Sequence, residues 1–183
     1  MTAPDRKRRF EELYAAQYPD ILAYIRRRTD CHEDAADAIA ETFSIAWRRL
    51  DDVPEGRRAR LWLYGVARKV VANGHRARSR RGELVERLGA QLAQWAEASG
   101  PEDVTDVRAA FARLSPEDRE VLALAGWEGL SSAEIATVLG CSRGAARIRL
   151  HRARKRLAGE LEASGLDLAR YGSRAVALVK GAM

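Results

Sequence analysis

Residues Ser131–Leu157 read SSAEIATVLGCSRGAARIRLHRARKRL, a run whose punctuation separates two helices around a turn. Ser131 is placed to cap a short helix with Ile135, Val138 and Leu139 facing inward. Gly140 can take the positive φ of a tight turn, and Ser142 caps the helix that follows. Stepping that helix at about 100° per residue puts Ala146, Leu150, Ala153 and Leu157 on one stripe. Gly144, Arg147, Ile148, His151, Arg152 and Lys155 fall opposite it, and Arg143, Arg149, Arg154 and Arg156 lie on the flanks. Cap, short helix, glycine turn and basic helix together predict a helix-turn-helix that enters the major groove of duplex DNA. Arg147 and Arg152 can donate twice to guanine, Ile148 can touch a thymine methyl, and His151 can bond a base edge or a phosphate. Arg143 and the other flanking arginines suit phosphates, which position the protein without specifying sequence.

Working outward, nearly every segment has helical periodicity and no strand pattern competes with it. Ser115-Pro116-Glu117-Asp118 is a helix start, with a capping serine, proline at the first helical position and acids in the first turn. Short helices are predicted at about 104–114, 116–126, 132–139 and 143–160. In the N-terminal half, Phe10, Leu13, Tyr14, Ile21, Leu22 and Ile25 mark a first helix that Pro19 should kink or restart. A second helix, about 33–50, carries Ala35, Ile39, Phe43, Ala46, Trp47 and Leu50 on one stripe, with Asp34, Asp37 and Glu41 off it. The loop Asp51–Gly56 ends it, and a third helix follows over about 58–78. The fold expected is all-α: two small helical domains, residues 1–81 and 104–161, joined by a linker at 82–103. The C-terminal domain is the helix-turn-helix, and a tail follows at 162–183 with a short helix at Ala175–Lys180.

The chain has a net charge of +6 and a pI near 9.7, which favours a polyanionic partner. The charge is segregated. Acids outnumber bases from Asp30 to Glu55, whereas Arg57–Arg81 and Arg143–Arg156 contain no acid at all. One acidic and two basic surfaces imply more than one partner. Cys31 and Cys141 stand far apart with no metal-ligand spacing around them, so idle thiols in a reducing compartment are expected and no metal or other cofactor. The N-terminus lacks the apolar stretch of a signal peptide, and no apolar run approaches the roughly 20 residues of a membrane helix. A cytoplasmic protein without a membrane partner is expected.

The third helix mixes bases with aromatics: Arg57, Arg58, Arg60, Trp62, Tyr64, Arg68, Lys69, Asn73 and Arg76. That mixture suits an unpaired nucleic-acid strand, because stacking needs no partner strand while the backbone charge must be met. Trp62 and Tyr64 can instead be core positions, and at least one of them is expected to be. No nucleophile–base pair or glycine-rich phosphate loop is present, so no enzyme is expected. A stand-alone transcriptional regulator and a subunit of a larger transcription apparatus both fit these features.

Four blocks, in order, resemble bacterial RNA polymerase sigma factors of the sigma-70 family, most closely the extracytoplasmic-function (ECF) type. They are Asp37–Trp47, Leu61–Arg68, Leu114–Leu122, and Gly129–Ala136 continued by Arg147–Arg154. The resemblance spans about Phe10 to Leu157. It implies that Asp37 and Glu41 contact the β′ clamp helices of core polymerase, and that Phe43 and Trp47 are core positions. It also implies that Asp51–Arg60 and the basic helix open the −10 element and hold a flipped base. The C-terminal domain would read the −35 element while resting on the β flap, and the linker would thread the polymerase cleft. An anti-sigma protein is a further partner that only the resemblance suggests. The chain departs from the family pattern at Ala40, Ala145, Ala146 and Ile148, and in the loop Asp52–Gly56, so the flipped-base pocket has no assigned residues.

Overall fold

The computed structural model divides the chain into two units between residues 91 and 92, and it describes residues 3–80 and 109–163. The linker expected at 82–103 and the tail from 164 onward, including Ala175–Lys180, lie outside the described residues.

The first unit is a three-helix assembly of α1 (Ala3–Arg26), α2 (His32–Arg48) and α3 (Arg57–Arg80), with a 3₁₀ turn at Leu50–Asp52. Each helix contributes one apolar stripe to a shared core: Ile21, Tyr24 and Ile25 from α1, Ala35, Ile39, Phe43 and Ala46 from α2, and Leu61, Leu63, Tyr64, Ala67 and Val71 from α3. Pro19 neither ends nor restarts α1, which runs through it as one helix. Proline removes one ladder donor, and the full burial of Ile21, Tyr24 and Ile25 beyond it holds the C-terminal part in place. Cys31, expected to be idle, caps α2 by accepting the Asp34 amide at 3.4 Å.

Trp47 departs from its expected core position. It is 40% exposed, edge-on to Phe10 at 5.1 Å, with the Arg6 guanidinium 5.4 Å from its ring. Thr42, a polar residue on the same helix, is fully buried, its hydroxyl satisfied by donating to the Ala38 carbonyl at 2.7 Å.

In the second unit, residues 109–113 are helical and lead into α4 (Pro116–Gly126), α5 (Ser132–Leu139) and α6 (Arg143–Ala163). Every start signal acts through its side chain. Ser115 accepts the Asp118 amide, Ser131 and Glu134 form a reciprocal capping box, and Ser142 accepts the Ala145 amide at 3.1 Å. Gly140 has φ +65°, and the amides of Gly140 and Cys141 close back on the carbonyls of Thr137 and Ala136. This is a Schellman turn, which satisfies the last carbonyls of α5 while redirecting the chain into α6. Ile135, Leu122, Leu124, Leu157 and Leu161 fill the core beneath it.

Two glycines give opposite expectations. Gly140→Ala forces an L-residue into the left-handed region and should cost about 1–2 kcal/mol. Gly159 is helical and exposed, with open space where a Cβ would sit, so Gly159→Ala should stabilise by about 0.8 kcal/mol. Urea unfolding midpoints of the full chain, moving down and up respectively, check both.

Candidate nucleic-acid interface

The core stripe of α6 is Ala146, Leu150, Ala153, Leu157 and Leu161, all buried. Its burial turns Gly144, Arg147, Ile148, His151, Arg152 and Lys155 to solvent, and all six are exposed. None of their side chains makes an ion pair or hydrogen bond among the described residues. At the helix start Ser142 takes the Ala145 amide on its hydroxyl and the Ala146 amide on its carbonyl. Cations on one side of an exposed helix suit a polyanion.

The flanking arginines do not behave alike. Arg143 and Arg149 are exposed. Arg156, expected at a phosphate, instead pairs at 2.6 Å with Asp118 of α4, whose side chain is only 9% exposed. A nearly buried carboxylate needs a counter-charge, and Arg156 is the one α6 supplies. Arg154 is half-buried, with its Nε hidden and unbonded among the described residues; burial pushes its pKa down, though an arginine stays cationic. Arg154 belongs to the packing of the unit, whereas Arg156, 61% exposed, is tied to it through this ion pair. Spacing along one helix cannot reveal this, because the deciding neighbour comes from α4.

On α3 the residues expected at an unpaired strand separate into three groups. Arg58, Trp62, Lys69, Asn73 and Arg76 fall within about 60° of one another around the helix, opposite the core. Arg76 donates to Asn73 Oδ1 at 2.7 Å and Lys69 is exposed, so the stripe is polar and open, and Trp62 is half-buried within it. Arg57 and Arg68 lie to the sides, whereas Arg60 shares the α1-facing side with Tyr64 and reaches back to Asp20 of α1 at 3.0 Å. Tyr64 is withdrawn from any stacking surface. It is 3% exposed, its ring 5.1 Å from Tyr24, because its position on the helix points into the α1–α3 contact.

The loop before α3 is tied down by α1, a feature with no local sequence signal. Arg6 donates to Asp51 at 2.8 Å and to the Trp47 carbonyl at 2.7 Å, and Arg9 donates to the Val53 carbonyl at 2.8 Å. Beneath the loop, Leu50, Val53 and Ala59 form a small core against Phe10, Leu13 and Trp62.

Asp37 and Glu41 are exposed on α2 and line, with Asp34, one wall of a shallow groove. Val70, Val71 and Gly74 of α3 make its other wall. Glu41 also accepts from Arg48 at 3.0 Å.

Residues 13–81 match the family model for sigma-70 region 2, and residues 105–157 match that for sigma-70 region 4. The probable RNA polymerase sigma-C factor of Mycobacterium bovis is 33% identical over 164 residues, covering 87% of this chain and 86% of the relative. The ECF RNA polymerase sigma factor SigD of Mycobacterium tuberculosis is 33% identical over 162 residues, 80% of this chain and 74% of the relative. The chain belongs to the ECF RNA polymerase sigma factors. Among solved structures, the sigma factor RpoE in complex with the anti-sigma factor NepR from Bartonella quintana aligns with a TM-score of 0.65 at 28% identity, covering 84% of this chain and 96% of that one. CnrH, in complex with the cytosolic domain of CnrY, gives 0.62 at 28% identity, covering 86% and 90%.

As an ECF sigma factor, this protein serves RNA polymerase in promoter recognition and is a transcription initiation factor. No helix among the described residues is long and apolar enough to cross a membrane.

The division of arginines on α6 is testable by stability alone. Arg156→Ala leaves the Asp118 carboxylate nearly buried without its partner and should cost about 1–3 kcal/mol. Arg152→Ala, on the exposed face, should stay within about 0.5 kcal/mol of the parent in the same urea titration. Equal losses would mean that Arg152 also supports the fold.

Proposed function

We propose that this sigma factor reads the −35 element with α6 and opens the −10 element with α3 and the loop before it, while the acids of α2 hold core polymerase. The observation that carries this reading is the exposed face of α6, whose cations have no protein partner among the described residues. Arg147 and Arg152 take base edges, His151 and Lys155 take base edges or phosphates, and Arg143 takes the backbone at the helix start. On α3 the working residues are Arg58, Trp62, Lys69, Asn73 and Arg76, with Arg57 and Arg68 at the margins. Arg60 contributes through its ion pair with Asp20. Extruding a base costs a few kcal/mol, which stacking and phosphate contacts offset only if the receiving loop is already ordered. The Arg6 and Arg9 bonds to Asp51, Trp47 and Val53 supply that order.

Asp37 and Glu41, beside the groove between α2 and α3, are the assigned contacts to the β′ clamp helices. The assignment is what the family resemblance implies, and their negative charge and exposure on α2 support it. Residues 1–81 then act as the core-binding and melting domain, 104–161 as the −35 reader resting on the β flap, and 82–103 as the linker through the cleft. The work is cytoplasmic and leaves chemistry to the core enzyme. The likeness to RpoE, solved with the anti-sigma factor NepR, extends the partners to an anti-sigma protein.

Reversing charge with Asp37→Lys and Glu41→Lys together should weaken binding to core polymerase by ten-fold or more and leave stability unchanged, measured by titrating labelled sigma factor with core. Undiminished core affinity would remove both residues from that contact. Arg147→Ala and Arg152→Ala should each weaken −35 discrimination by roughly ten-fold in holoenzyme binding to duplex promoters, since a bidentate base contact is worth about 1–3 kcal/mol. Transcription from a template already melted at −10 should survive both changes. Lys69→Ala with Arg76→Ala should reverse the pattern, lowering opening of duplex promoters while sparing −35 discrimination.

A further inference from the structure

Three large apolar side chains are exposed among the described residues: Tyr14, Trp47 and Ile148. Tyr14 and Trp47 edge an aromatic cluster, with Tyr14 4.7 Å from Phe43 and Trp47 5.1 Å from Phe10. Ile148 has no such setting. It is 51% exposed on α6, with Arg147 and Arg149 as chain neighbours and His151 and Arg152 one turn on. Stepping the helix at about 100° per residue puts Ile148 about 180° from the centre of the stripe formed by Ala146, Leu150, Ala153, Leu157 and Leu161. It is therefore the most outward point of the helix, where the fold gains nothing from an aliphatic group. A β-branched residue there also gives up some helix propensity.

A second feature stands one turn earlier on the same line. A Cβ at Gly144 would meet nothing nearer than Ser142 Oγ at 4.0 Å, so the domain's own packing does not require glycine there. Bare backbone at Gly144 beside the outward Ile148 makes a small apolar step on an otherwise cationic surface. A ligand that approaches this surface offers mostly phosphate and polar base edges. The one apolar group that a base pair displays in the major groove is the 5-methyl of thymine.

We propose that Ile148 is a specificity-determining residue that selects a thymine in the −35 element by packing on its 5-methyl group, with Gly144 leaving room for the close approach. The proposal rests on α6 being the −35 reader, as argued above. It makes this factor's preference at one position a matter of apolar contact, while Arg147 and Arg152 supply hydrogen-bonded readout beside it.

The test uses holoenzyme assembled from core polymerase and the full chain. The preferred −35 element is first selected from a randomised duplex library. Each of its thymines is then replaced in turn by deoxyuridine, which lacks only the methyl group. The expected result is one position where binding weakens roughly four-fold, the worth of one buried methyl-sized group. Ile148→Ala should bind less tightly and lose that sensitivity, whereas Ile148→Val should retain most of it. A selected element without thymine, a scan with no methyl-sensitive position, or an Ile148→Ala factor as sensitive as the parent would each overturn the proposal. Arg147→Ala and Arg152→Ala separate this failure from failure of the underlying reading. If they still lower −35 discrimination, α6 remains the reader and only the role of Ile148 falls. If they too leave discrimination unchanged, α6 is not the reader.

Discussion

A helix in a small bundle can bury only one stripe of its circumference, and in this protein that limit sets everything outside the core. In both units the buried stripes include small residues as well as large ones. Ala46 and Ala67 are fully buried in the first unit, and Ala110, Ala146 and Ala153 in the second. Small residues on a packed helix face allow helix axes to approach more closely within the usual 8–10 Å spacing. Large side chains such as Leu63, Tyr24, Ile135 and Leu157 are buried in the same two cores, and close packing of such residues resists rotation of a helix about its axis. Fixing what faces inward therefore also fixes what faces outward. The cationic face of α6 and the polar stripe of α3 are consequences of the same packing that stabilises the fold.

The loop between α2 and α3 meets the same need for order by other means. It is short, acidic and carries little apolar area, so burial alone would leave it loosely held. Arg6 and Arg9 reach across from α1 to its carboxylate and carbonyls, and Leu50 and Val53 turn under it toward Phe10 and Leu13. An ordered loop has already met the entropic cost of fixing its backbone, which a melted strand would otherwise have to supply on binding. The basic residues of α1 thus order the loop to which the proposed reading assigns promoter opening, without themselves being part of that assignment.

Arginine does two jobs in this chain, and the residue type does not distinguish them. Arg156 and Arg60 neutralise carboxylates on neighbouring helices, and Arg154 lies along the packed edge of α6 with part of its head group hidden. Arg147 and Arg152 face solvent. In the sequence all five sit in acid-free basic runs and look alike. The same blindness explains Tyr64 and Trp47. Each was an aromatic at helical spacing, and exposure was decided by whether a second helix lay over it. Tyr24 packs on Tyr64 and leaves it 3% exposed, whereas Phe10 and Arg6 leave Trp47 40% exposed.

What the chain alone determined is whatever depends on near neighbours. The all-helical class, the caps at Ser115, Ser131 and Ser142, the left-handed turn at Gly140 and the inward stripe of α6 all follow from contacts within about one helical turn. The two acids of α2 lying off the apolar stripe were legible for the same reason. Tertiary structure decided matters that need a partner from far along the chain. These are the capture of Arg156 by Asp118, the burial of Tyr64, the exposure of Trp47, the passage of α1 through Pro19, and the tethering of the loop by Arg6 and Arg9. The helix-turn-helix was readable because its geometry is local. Which of its arginines the fold itself engages was not, because that depends on what another helix brings beside each one.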